Sequence, residues 1–502
     1  MKAGAVLNYC IILLNTLVGL LYTPYMLRTM GQSEYGLYSL VASVISYLTI
    51  LDMGMGNAII RYTAKFRAER KQEEQYEMFG MFFVLYLVIG VIAVGLGMGL
   101  YLNVDAMFGK TMTVVELDKA RIMMFILIFN LAFTFPMSIF GSIMTAYERF
   151  VFPRIVNIIR IILNTVIMII LLYYGYRAIT MVIVHTVFNV VTLIINYFYC
   201  CYRLHIKMYF RKFKWGFLKE VAIYSFWILL NVIMDKIYWS TGQFVLGAVS
   251  GTIAVSIFAV AIQLQALYMQ FSSAISTVFL PKVTAMVTNS SSDKELSDLF
   301  IRTGRIQYVV MCFVLSGFIV FGKSFIQLWA GREYSESYII TLLFFVALLI
   351  PLIQNLGITI LQAKNQMKFR SILYIIIAVF ALAFEILFAK FWGGVGCAIA
   401  ISGALLIGQG LVMNIYYSKK QHIDISAFWN EILKMTAVPA ILVVLSLNLF
   451  GKIEIGSWFK LGESVLIFSA VYLPLFFFIS MNQDERNLFL SPVKRLFERK
   501  ND

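Results

Sequence analysis

Phe79-Gly-Met-Phe-Phe-Val-Leu-Tyr-Leu-Val-Ile-Gly-Val-Ile-Ala-Val-Gly-Leu-Gly-Met-Gly-Leu-Tyr-Leu102 is an unbroken run without a charged side chain. A bilayer core about 30 Å thick takes about 20 helical residues to cross, so this run has the length and polarity of a membrane-spanning helix. Working outward, similar runs recur at approximately 8-27, 38-60, 121-144, 155-174, 178-202, 220-246, 252-279, 306-329, 338-361, 371-390, 394-417, 432-450 and 462-480. The expected protein is all-α and polytopic, with about fourteen transmembrane helices. The first run, 8-27, precedes Arg28 without a small-residue cleavage site and is expected to be the first span, not a removed signal.

Composition agrees. At 61% hydrophobic and 13% charged, the 502 residues lie far from the averages of soluble domains. The longest polar connectors, 203 to 219 and 281 to 305, are too short for an independent core, which takes at least about 40 residues. A net charge of +15 raises the possibility of a nucleic-acid partner, but the basic residues are dispersed among short connectors and no such partner is expected. Alternate connectors and both tails, among them those carrying Arg61 to Lys71, Arg203 to Lys219 and Arg486 to Lys500, hold 28 of the 41 Lys and Arg, against eight on the other side. This bias predicts cytoplasmic termini and an even number of spans. The five Cys form no C-x-x-C pair, and no metal site or cofactor is expected.

Gly31-Gln-Ser-Glu-Tyr-Gly-Leu-Tyr-Ser-Leu-Val-Ala42 aligns weakly with Gly251-Thr-Ile-Ala-Val-Ser-Ile-Phe-Ala-Val-Ala-Ile262, each after a short outer turn. Six spans separate the copies, so the two halves run parallel, related by an axis along the membrane normal. The expected organisation is a lobe at 1-202, a basic connector at 203-219, a second six-helix lobe at 220-417 related by pseudo-two-fold symmetry, and two further helices with a tail at 418-502. The connector mixes basic residues with Tyr209, Phe210, Phe213, Trp215 and Phe217, a composition suited to anionic headgroups. Asn289-Ser-Ser is a sequon on the predicted cytoplasmic side, where no glycan is expected.

Gly317-Phe-Ile-Val-Phe-Gly322-Lys323-Ser324 matches the P-loop pattern, yet it lies in an apolar span rather than on a strand-to-helix turn, and ATP hydrolysis is not expected. Ionisable groups inside spans cost about 2.5 to 3.5 kcal/mol each on insertion scales, so they face a cavity or a partner. Asp52, Arg160, His185, Asp235, Lys236 and Glu385 are such groups. Polar residues also recur at helical spacing: His185, Asn189, Thr192 and Asn196; Asn157, Arg160 and Asn164; Asn231, Asp235, Tyr238 and Gly242. Each stripe faces away from lipid, toward interhelical hydrogen bonds or a hydrated path.

Pro24-Tyr-Met-Leu-Arg28-Thr-Met-Gly31, Tyr35-Gly36-Leu-Tyr, Leu51-Asp52-Met-Gly54-Met-Gly56 and Arg61-Tyr62 together resemble the amino-terminal signature of bacterial polysaccharide (O-antigen type) flippases of the multidrug/oligosaccharidyl-lipid/polysaccharide (MOP) exporter superfamily. Asp52-Met-Gly54-Met replaces the more usual Asp-Leu-Gly-Leu. The resemblance implies a transporter, not an enzyme. It implies carriage of an undecaprenyl diphosphate-linked oligosaccharide between leaflets of the bacterial inner membrane by alternating access, coupled to an H+ or Na+ gradient. Its partners would be lipids and other polysaccharide assembly proteins. Arg28 and Arg61, which match the pattern, and Arg160 and Lys236, chosen on residue chemistry, are the candidates for the substrate. Asp52, His185, Asn189, Asn231, Asp235 and Glu385 are candidates for coupling or for lining a polar cavity. A cation-coupled multidrug exporter of the same superfamily and an uncoupled scramblase are the alternatives. A glycan polymerase or ligase would need a larger outer loop than 103 to 120, which has no His.

Overall fold

A computed structural model describes residues 2–210, 215–288, 292–364, 366–451, 455–487 and 490. Among these, every regular element is helical. In order they are α1 (Lys2–Met30), α2 (Gln32–Ser46), a 3-10 turn (Tyr47–Asp52), α3 (Met55–Ala68), α4 (Gln72–Leu102), α5 (Val104–Phe108), α6 (Val114–Ala146), α7 (Val151–Tyr173), α8 (Ala178–Tyr202) and α9 (Trp215–Val249). There follow α10 (Thr252–Thr288), α11 (Asp293–Trp329), α12 (Ser337–Ile353), α13 (Asn355–Ala363), α14 (Met367–Leu405), α15 (Met413–Gln421), α16 (Ile425–Phe450) and α17 (Trp458–Leu475).

Eleven helical stretches among the described residues are long and apolar enough to cross a membrane, or twelve when α12 and α13 count as one span bent by 41°. The expected fourteen is not reached by this count. Part of the difference lies in the stretch Met367–Gln421, which counts once although it holds both spans expected at 371-390 and 394-417, two helices that meet at a kink. At about 1.5 Å per residue that stretch is far longer than a bilayer core. It breaks where a loop was expected, since Trp392 leaves helical geometry and Gly393 takes φ 53. The bend between α12 and α13 follows Pro351, which removes a backbone donor from the ladder. The P-loop match lies wholly inside α11. The Asn289 sequon and basic residues Arg211, Lys212, Lys214, Lys452, Lys494, Arg495, Arg499 and Lys500 lie outside the described residues.

Glycine shapes the starts of two helices. Gly31 (φ 81) precedes α2 and Gly251 (φ 84) precedes α10, the left-handed geometry that a Cβ resists. These are the equivalent glycines of the internal repeat. α6 begins with a capping box in which Thr113 and Glu116 satisfy each other's backbone N–H groups.

Two compact units result: residues 1–259 with 374–397, and residues 260–373 with 398–502. In the first, Ile59 and Tyr62 of α3, Phe79, Phe82 and Tyr86 of α4, and Phe135, Ile139 and Phe140 of α6 are buried together. α7 instead exposes Ile155, Ile159, Ile162, Val166 and Ile170 at helical spacing, an apolar stripe that hydrocarbon satisfies. In the second unit, buried Arg305 of α11 is held by both carboxylate oxygens of Glu485, from Nε at 2.5 Å and Nη2 at 3.0 Å, and by Glu431 of α16 at 2.6 Å.

The basic connector is tied to protein on part of its length. Tyr209 N–H donates to Tyr76 O at 3.0 Å, and Phe217 packs edge-on against Tyr62 at 4.7 Å. Phe210 and Trp215 are exposed.

Candidate functional site

Polar groups gather at three places in the first unit, two of which hold residues singled out from the sequence. The first is formed where the end of α2 meets α9 and α14. Ser46 Oγ donates to Ser240 Oγ at 3.1 Å, and Tyr47 Oη and Thr241 Oγ1 share a hydrogen bond of 2.5 Å. Glu385 of α14 is fully buried here, within electrostatic reach of Tyr47 and Tyr238, and Tyr238 meets Tyr374 edge-on at 6.4 Å. Neither carboxylate oxygen of Glu385 has a hydrogen-bond partner among the described residues. A carboxylate stripped of water and left without donors is costly. Lys236, half-buried on α9, has no ion-pair partner among the described residues, and its carbonyl accepts from Thr241 Oγ1 at 3.4 Å. Asp235 beside it is exposed and Asn231 half-buried.

Tyr47 also borders a second space. Its ring, with Leu48, Ile50, Leu51, Leu96, Leu100 and their neighbours, lines an apolar cavity of about 750 Å³. Polar and apolar surfaces therefore adjoin at one residue. Asp52 closes the same 3-10 turn and accepts from Tyr86 Oη at 2.9 Å; Met53 (φ 51) and Gly54 (φ 69) then reverse the backbone before α3.

The second place is the α7 and α8 pair. Arg160 is half-buried, lies within electrostatic reach of His185, and has no hydrogen-bond or ion-pair partner among the described residues. Asn189 is engaged between helices: its Nδ2 donates to Asn130 Oδ1 at 2.7 Å and Thr134 Oγ1 at 2.8 Å, which fastens α8 to α6. Asn164 and Asn196 carry buried side-chain oxygens without partners among the described residues. Arg28 at the end of α1 and Arg61 on α3 are exposed, and the Arg61 guanidinium sits 5.8 Å from the Tyr62 ring.

The third place escaped sequence reasoning. Glu116 Oε1 accepts from Ser33 Oγ at 2.6 Å and from Thr252 Oγ1 at 2.8 Å, joining the starts of α2, α6 and α10. Lys119 forms an ion pair with Glu34, whose other oxygen accepts from Ala178 N–H at 3.4 Å. Gly36 packs so tightly that a Cβ there would lie 1.8 Å from Thr252 O. The available signal was the T-x-x-E pattern at Thr113 to Glu116, which marks a cap but not its distant partners.

A multi-pass helical bundle whose interior carries unpaired charged groups beside an apolar cavity has the architecture of a membrane transporter. The fold is that of the MOP exporters. Over 98% of this chain and 100% of the other, it superposes with a TM-score of 0.73 and 17% identity on the lipid II flippase MurJ in an inward closed conformation. An inward-facing multidrug resistance MATE family transporter of the MOP superfamily matches with a TM-score of 0.61 and 16% identity, over 83% of this chain and 95% of that one. A curated relative, the uncharacterized membrane protein EpsK of Bacillus subtilis (strain 168), is 21% identical over 505 residues, covering 97% of each chain. The family model described as polysaccharide biosynthesis protein matches residues 1–287, and the chain belongs to that family.

Proposed function

We propose that this protein is a flippase that carries an undecaprenyl diphosphate-linked oligosaccharide of O-antigen type from the cytoplasmic to the outer leaflet of a bacterial cytoplasmic membrane. It works by alternating access driven by an H+ or Na+ gradient. The observation that supports this best is the position of Tyr47, between buried polar groups and an apolar cavity of about 750 Å³. A lipid-linked sugar needs both environments at once, because its glycan and diphosphate cannot enter hydrocarbon while its polyprenyl chain prefers it. Membership of a polysaccharide biosynthesis family and a fold shared with a lipid II flippase point the same way. Arg160 and Lys236 have no ion-pair partner among the described residues and are assigned to the diphosphate, together with Arg28 and Arg61. Glu385 is assigned to coupling, with Asp52 and Asp235 as further candidates.

One observation favours a second reading. Glu385 lies among Tyr47, Tyr238 and Tyr374, and a carboxylate in an aromatic setting suits an organic cation in a multidrug exporter. The test is delivery of a labelled polyprenyl-diphosphate oligosaccharide to the outer leaflet of vesicles, with and without the protein and with an ion gradient on or off. Gradient-dependent delivery supports the proposal, and delivery indifferent to the gradient makes the protein a scramblase. Export of a cationic dye with no glycolipid movement would replace it by the multidrug reading.

A further inference from the structure

We propose that the α3–α4 turn and the end of α6 form a phosphate-binding pocket separate from the interior groups above. The pocket, of about 300 Å³, is lined by Phe66, Arg67, Arg70, Gln72, Gln75 and Tyr147. Its two charged residues are both arginines, and no carboxylate among the described residues lines it. Of the acids nearby, Glu69, Glu74 and Glu77 line a neighbouring pocket together with Glu220 of α9, Lys65 and Lys71. Glu69 is ion-paired there to Lys71 at 2.9 Å. The neighbouring pocket mixes both signs, whereas the only charged residues lining this one, among the described residues, are Arg67 and Arg70.

The groups are also held for an anion. Arg67 Nη1 donates to Ala146 O at 2.9 Å, and its guanidinium lies 4.3 Å from the centre of the Tyr147 ring, which fixes the plane of the fork while leaving most of its donors unused. Gln75 Nε2 donates to Tyr147 Oη at 2.7 Å, so the tyrosine hydroxyl keeps its own proton to donate. Arg67 alone could be explained as a cap on the last carbonyls of α6. Arg70 has no such explanation. It closes the α3–α4 turn in the left-handed region at φ 57, where Gly or Asn costs less, and it lines the same pocket. Two guanidinium groups, a tyrosine hydroxyl and amide groups supply the kind of donors that a phosphate dianion or a phosphodiester takes. The phosphate could belong to an anionic bilayer lipid or to a diphosphate-bearing ligand, and the inference does not rest on the transport reading.

The test uses the full-length protein in nanodiscs. Inorganic pyrophosphate is titrated by calorimetry in pure phosphatidylcholine discs and in discs containing phosphatidylglycerol. Arg70→Asn is the variant, because asparagine tolerates φ 57 and Arg70 makes no contact that holds the fold; Lys65→Gln in the neighbouring pocket is the control. Arg70→Asn should weaken pyrophosphate about tenfold or more, the scale of losing a charge-assisted contact, and Lys65→Gln should leave it unchanged. If phosphatidylglycerol abolishes the Arg70-dependent binding, the pocket holds a bilayer headgroup; if it has no effect, the pocket is reserved for a diphosphate ligand. Equal affinity in the wild type and Arg70→Asn, or no pyrophosphate binding, would overturn the assignment.

Discussion

On the alternating-access reading proposed above, replacing Glu116 by alanine should open the face of the protein that the basic residues avoid. Its Oε1 receives two hydrogen bonds, from Ser33 on the first repeat turn and Thr252 on the second, and no other described side chain joins these turns to one carboxylate. Its Oε2 receives Thr113 N–H and Oγ1, both at 2.9 Å. The Thr113 bonds lie at the start of α6 and are the same whether the two turns are together or apart, so they cancel in the open-closed balance. Only the two bridging bonds count. A bond to a charged group contributes a net of about 1.5 to 3 kcal/mol, and partial exposure here reduces it to about 1 kcal/mol each. Losing both shifts the balance by about 2 kcal/mol, or about 30-fold toward the open form.

The assay is the labelling rate of a cysteine introduced by Ser46→Cys, beside the polar groups of α9, in protein whose native cysteines have been replaced. An impermeant maleimide is added from the side predicted to be outer. Glu116→Ala should raise the rate about 30-fold over the same background, by the shift just worked out. Thr113→Val, which removes a cap worth about 1 kcal/mol and no bridge, should lower stability and leave the rate alone. Equal rates for Glu116→Ala and its parent, with the fold intact by size-exclusion profile, would refute the latch.

Three further outcomes are expected. Glu385→Gln should melt no lower than the wild type, since it replaces a buried carboxyl that faces no donors among the described residues with a neutral isostere; the same variant should lose gradient dependence in the vesicle assay, and its retention would remove Glu385 from coupling. Arg305→Ala leaves Glu485 buried and unpaired and should cost about 3 to 5 kcal/mol, read as a large fall in thermal stability in detergent; a melt within about a degree of wild type would show that the cluster adds nothing. Gly36→Ala drives a Cβ into Thr252 O and should speed maleimide labelling in the Ser46→Cys background as Glu116→Ala does, whereas unchanged labelling would mean that the helices shift to absorb the methyl without parting.

What was legible in the sequence is what depends on neighbours along the chain. A run such as Phe79 to Leu102 declares a span because hydrocarbon acts on every residue of it alike, and Gly31 and Gly251 mark the repeat because a left-handed φ demands glycine locally. The break between two apolar segments was legible in the same way: Trp392 and Gly393 leave helical geometry between the spans expected at 371-390 and 394-417. Periodicity told less. The stripe containing His185 and Asn189 must avoid lipid, yet Asn189 does so by bonding Asn130 and Thr134, and the spacing within α8 is identical whether a neighbour or water waits opposite. Glu116 lies at the far end of this scale. Its partners stand 83 and 136 residues away, and a glutamate at the third position of a capping box looks the same with or without them. The two bonds from distant turns distinguish a helix cap from a bridge between the starts of α2, α6 and α10, and they exist only once those three starts fold together.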